Sequence, residues 1–64
     1  MVEPFRFPKH IVYCGRFMTG IKLVKYKNSV ACLYKDDELG CEQTFSANEF
    51  KYNEYYGYIE RRNA

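Results

Sequence analysis

Apolar positions in this chain fall in short runs of β-branched, aliphatic and aromatic residues, broken by turn formers. That is the pattern of a small sheet, not of long helices. His10–Cys14 is one such run and ends at Gly15, after which Met18-Thr19-Gly20 reads as a connection. Ile21–Tyr26 and Val30–Lys35 follow as a second and third run, with Lys27-Asn28-Ser29 between them as a hairpin loop. Asn28 suits that loop because asparagine tolerates a left-handed backbone. A loop of these residues pairs Tyr26 with Val30, Val24 with Cys32 and Leu23 with Leu33. One face then carries Val24, Tyr26, Val30, Cys32 and Tyr34, and the other Ile21, Leu23, Ala31 and Leu33. Both faces are apolar, which calls for a sheet that curls on itself or is covered on both sides.

Asp36–Gly40 supplies the next turn, with Gly40 free to take positive φ, and Cys41–Phe45 the next strand. This hairpin sets Lys35 against Glu42, an attractive cross-strand pair, and Cys32 beside Phe45. Ser46 and Glu49 then form a capping-box signature, so a helix is predicted from Ala47. Tyr52, Tyr55 and Tyr56 recur at helical spacing, and Gly57 marks the stop. Tyr58–Arg61 reads as a last short strand. Residues 1–9, with Pro4 and Pro8, form an extended lead-in from which Phe5 and Phe7 can pack down, and residues 62–64 a frayed tail. The layout is mainly β and suits a small five-stranded barrel, SH3-like or OB-like, with a short helical turn before the last strand. The alternative is α+β: an antiparallel meander sheet with one short helix on a face.

Length changes the picture by limiting it. A chain of 64 residues holds one domain, 1–64, with a thin stability margin and no room for a deep catalytic cleft. Aromatic mass is its main resource: seven Tyr and five Phe make up 19% of the residues. No apolar run reaches the length of a membrane span, and Met1-Val2-Glu3-Pro4 does not read as a leader. The three cysteines, Cys14, Cys32 and Cys41, do not pair evenly, so free thiols and a cytoplasmic setting are expected. His10 joins them as a potential tetrahedral zinc set. Without a Cys-x-x-Cys pair, and with Cys14 and Cys32 inside apolar runs, buried thiols and no metal are the expectation.

Candidate chemistry is sparse. The sequence has no phosphate-binding glycine loop, nucleophile elbow or zinc-protease helix motif. His10 and Cys14 lie about 13 Å apart along an extended run, too far for a nucleophile and its base. Asp36-Asp37-Glu38 reads as a solvated acidic turn. The chain is therefore expected to work without catalysis and without a cofactor.

Charge is unevenly placed although the net is only +2. Residues 1–35 carry seven basic groups against Glu3, whereas residues 36–64 carry seven acids against Lys51, Arg61 and Arg62. Two functional classes follow. Lys22, Lys25 and Lys27 around Tyr26 suggest a hairpin that contacts phosphates and stacks a base, although the acidic half opposes a nucleic-acid partner and edge lysines also protect a sheet from aggregation. The favoured class is a stand-alone protein-binding module, an inhibitor or modulator of the kind found in phage and mobile elements. It would dock on a larger protein through Tyr52, Tyr55, Tyr56 and Arg61. At least two of the C-terminal tyrosines should then be exposed.

Overall fold

Five strands form one antiparallel sheet: β1 (His10–Tyr13), β2 (Arg16–Lys25), β3 (Val30–Asp36), β4 (Glu42–Ser46) and β5 (Ile59–Arg61), with α1 (Ala47–Tyr55) before β5. The computed structural model describes residues 5–62, so the start of the predicted lead-in (1–4) and the end of the predicted tail (63–64) lie outside the described residues. Strand order is β4-β3-β2-β1-β5. The mainly β class and the helix before the last strand hold. The sheet is open, however: β4 and β5 are its outer strands and do not pair, so the predicted barrel does not close. Aromatic side chains fill the face that closure would have sealed. Phe50 from α1 and Phe5 and Phe7 from the lead-in pack there over Ile11, Met18, Cys32, Tyr34, Phe45 and Ile59.

The aromatic layer explains how so short a chain holds together. Phe50 meets Phe5, Phe7 and Tyr34 with ring centroids 5.4, 5.7 and 6.3 Å apart. Phe45 meets Tyr13 at 5.0 Å and Tyr34 at 6.0 Å. Tyr34 lies at the centre of this group, fully buried, and its hydroxyl donates to the Pro8 carbonyl at 2.6 Å, which ties the lead-in to the sheet.

β2 departs most from the sequence expectation. Residues 18–20 are not a connection; they belong to a single strand from Arg16 to Lys25. The turn lies earlier, at Cys14 (φ 50°) and Gly15 (φ 81°), a tight two-residue reversal that takes Cys14 out of the core and exposes its thiol. Gly20 stays in the strand for want of space: a β-carbon there would lie 3.4 Å from the Tyr34 ring, the Cys32 sulfur and the Lys9 carbonyl. A bulge at Ile21 follows, and beyond it Leu23 faces Cys32, Val24 faces Ala31 and Lys25 faces Val30.

That register is one residue from the predicted one, because Tyr26 donates its N–H to the Ser29 carbonyl and tightens the tip to Lys27–Asn28. A one-residue slip exchanges faces. Leu23, not Val24, therefore shares the Cys32 face, and Tyr26 projects into solvent. Of the five residues expected in the core on these hairpins, Cys32 and Phe45 are buried, Val24 and Val30 are half-buried and Tyr26 is exposed. The β3–β4 hairpin has the expected register, with Lys35 opposite Glu42, Cys32 opposite Phe45 and Gly40 at φ 75°.

Candidate partner-binding site

The C-terminal end of α1 carries most of the exposed aromatic surface, and local sequence chemistry fixes where that end lies. At the start, the Ser46 hydroxyl accepts from the Glu49 N–H (3.1 Å), and the Glu49 carboxylate accepts from the Ser46 N–H (2.9 Å). Both halves of the capping box are thus made. At the end, Gly57 takes φ 83°; its N–H donates to the Glu54 carbonyl, and the Tyr58 N–H donates to the Asn53 carbonyl. This paired closure lets the chain leave a helix at a fixed residue. Phe50 is the one buried side chain of α1 and supplies its apolar anchor.

Tyr52, Tyr55 and Tyr56 point away from that anchor and are 61%, 83% and 57% exposed. They also touch one another. Tyr52 and Tyr56 have centroids 4.7 Å apart, and Tyr55 meets Tyr56 edge-on at 5.0 Å. Tyr58, outside the expected set, is exposed just beyond the helix stop. The core contains none of these rings, so they are not needed to close it.

Arg61 has a different role from theirs. Its guanidinium donates twice to the Glu54 carboxylate, at 2.6 and 3.3 Å, and lies over the Phe5 and Phe50 rings. The hydrogen bond to Glu54 raises its pKa further. Arg61 is a strut joining β5, α1 and the lead-in. The structure brings the three helical tyrosines together and engages Arg61 internally.

On the hairpin, Lys22, Lys25, Tyr26 and Lys27 are all exposed. Lys22 lies opposite Leu33 and Lys25 opposite Val30, three positions apart on one strand, so they project from opposite faces.

Among the remaining chemical candidates, Asp36 is engaged in structure. Asp36 is buried; it accepts the Leu39 and Glu38 N–H groups at 2.9 and 2.8 Å and pairs with Arg16. The backbone bond from Leu39 and the hydrogen bond from Arg16 lower its pKa to about 2. His10 lies 3.5 Å from the Thr19 hydroxyl. Cys32 is buried, whereas Cys14 and Cys41 are exposed, which corrects the expected burial of Cys14. Burial raises the Cys32 thiol pKa. Among the described residues, no cluster of His, Cys, Asp and Glu could hold a metal, and no helix is long and apolar enough to cross a membrane. No protein-family model, curated protein or solved structure significantly matches this chain.

Proposed function

We propose that this chain is a small non-catalytic binding module that docks on a larger protein, as an inhibitor or modulator, through the tyrosine-bearing end of α1. One observation carries the reading: Tyr52, Tyr55 and Tyr56 form a contiguous exposed aromatic cluster on a helix end fixed by its closing bonds. Left in water, such rings forgo the burial that aromatic side chains otherwise gain. With roughly 150–250 Å² per ring, about two-thirds of it exposed, the trio offers on the order of 400 Å² for burial. At about 25 cal/mol/Å² that is roughly 10 kcal/mol gross, the same order as the cost of association. The cluster can thus act as the hot spot of an interface whose rim supplies the rest. Tyr58 extends it, and Arg61 supports it from below by holding α1 to β5.

Affinity capture from a native lysate, with and without nuclease, tests the reading. A specific protein should be retained by the wild-type chain, survive nuclease and moderate salt, and be lost with Tyr55→Ala or Tyr56→Ala while the domain stays folded. Retention that vanishes with nuclease, or falls steeply with salt through Lys22, Lys25 and Lys27, would favour nucleic acid.

A further inference from the structure

At the end of β2 far from the Cys14–Gly15 turn lies a second surface with its own chemistry. β1 pairs with β2 only over residues 16–19, and the Gly20 N–H makes one further bond to the Lys9 carbonyl. Beyond that point Lys22–Lys25 pairs with β3 on one side, with Ile21 bulged between Gly20 and Lys22, while no described strand takes the other side. This half of β2 is therefore a sheet edge on the order of five residues long, or about 16 Å at roughly 3.3 Å per residue.

A groove of about 420 Å³ runs beside this edge, between the lead-in at 5–9 and β2 at 20–23, with Val30 and Cys32 at its floor. Among the described residues its charged lining is Arg6, Lys9 and Lys22, with no carboxylate. Among the described residues none of the three forms an ion pair; the two that exist are Arg16–Asp36 and Arg61–Glu54. Ile21 and Leu23 are exposed along the same edge. Edge lysines and a bulge keep a sheet from pairing with neutral strands or with its own basic strands. The same charges admit an acidic strand.

We propose that the open edge of β2 at Ile21–Lys25 receives an extended acidic peptide segment of a partner protein, added as a further strand. Backbone hydrogen bonds along the edge hold the segment, and alternate apolar side chains enter the groove against Leu23 and Phe7. The intervening carboxylates lie on the Lys22 face, and carboxylates at the end of the segment reach Arg6 and Lys9. This surface is independent of the tyrosine cluster, and each can fail without the other.

The test titrates a synthetic fluorescein-labelled decapeptide, alternating Val or Leu with Asp or Glu, into the full chain. Anisotropy gives the affinity and amide chemical shifts give the place. Comparison peptides replace each acid with Lys, or carry alternate backbone N-methyl groups. The acidic peptide should shift the amides of 21–25, bind at least about tenfold more tightly than its lysine twin and lose binding on N-methylation. Arg6→Glu with Lys22→Glu should weaken it about tenfold or more, and Leu23→Ser should also weaken it; all three positions are exposed, so the fold tolerates these changes. Tyr55→Ala should leave it unchanged. No binding, equal binding of the lysine or N-methylated peptide, or shifts centred elsewhere would overturn the proposal. Displacement of the acidic peptide by an oligothymidine bound through Lys22, Lys25 and Tyr26 would also overturn it and identify the edge as a nucleic-acid surface.

Discussion

Phe50→Ala is the most informative single change in the fold, because α1 has no other buried side chain. The ring is fully buried and makes edge or stacked contacts with Phe5, Phe7 and Tyr34, while the Arg61 guanidinium lies 5.4 Å from its centroid. Truncating a buried phenylalanine costs about 3–5 kcal/mol through lost transfer energy and the cavity left behind. A chain of this length has roughly 3–10 kcal/mol of total stability. The loss thus removes between a third and all of it. The consequence also reaches the proposed site, since a nine-residue helix is not stable alone and the tyrosines keep their geometry only while Phe50 is docked. Urea unfolding followed by far- and near-ultraviolet circular dichroism measures the effect. The Ala variant should unfold at much lower urea or be unfolded at the outset, and Phe50→Leu should show a smaller loss. A cost below about 1 kcal/mol, with near-ultraviolet signals unchanged, would refute the packing described for α1.

Three further outcomes follow from buried titratable groups. Asp36 has its pKa lowered to about 2, so its contribution to stability is complete above its ordinary value of 3.8 and is lost as pH falls from there toward 2. Asp36→Asn should flatten this acid limb in pH-dependent unfolding, and an unchanged limb would contradict the assignment. Tyr34 has its pKa raised by burial, so stability should decline as pH rises above about 10. In an alkaline absorbance titration Tyr34→Phe should remove a delayed tyrosinate component, whereas persistence of that component would place it on another residue. Disulfide-exchange reagents should label Cys14 and Cys41 in the folded protein but Cys32 only on unfolding, and rapid labelling at all three positions would show that the Cys32 side of the core is open.

Local signals in the sequence were legible where a few neighbouring residues settle the geometry. Ser46 with Glu49 gave the helix start, Gly57 its end, and Lys35 with Glu42 the register of β3 and β4, because each depends on hydrogen bonds or charges close in the chain. Gly20 misled for a tertiary reason. A glycine is equally at home in a turn or beneath a crowding ring, and here Tyr34 and the Lys9 carbonyl impose the second. Cys14 concealed the first turn because cysteine rarely takes positive φ. The bulge at Ile21 and the openness of the sheet depend on partners far along the chain, and no local pattern encodes them. Within the candidate site, helical spacing anticipated that Tyr52, Tyr55 and Tyr56 come together at the end of α1. It could not reveal that Arg61 is engaged by Glu54, because that contact needs β5 to return beside the helix.

We propose the tyrosine cluster as the energetic centre of a protein interface. Isothermal titration of the captured partner against wild-type chain, the triple variant Tyr52→Ala/Tyr55→Ala/Tyr56→Ala and the triple variant Lys22→Ala/Lys25→Ala/Lys27→Ala tests it most directly, at low and moderate salt, with folding of each variant checked by circular dichroism. The tyrosine variant should remain folded and weaken binding by about 2 kcal/mol or more, roughly thirtyfold, while the lysine variant changes it little at either salt concentration. Undiminished affinity in the folded tyrosine variant, or a steep salt-dependent loss confined to the lysine variant, would contradict the claim.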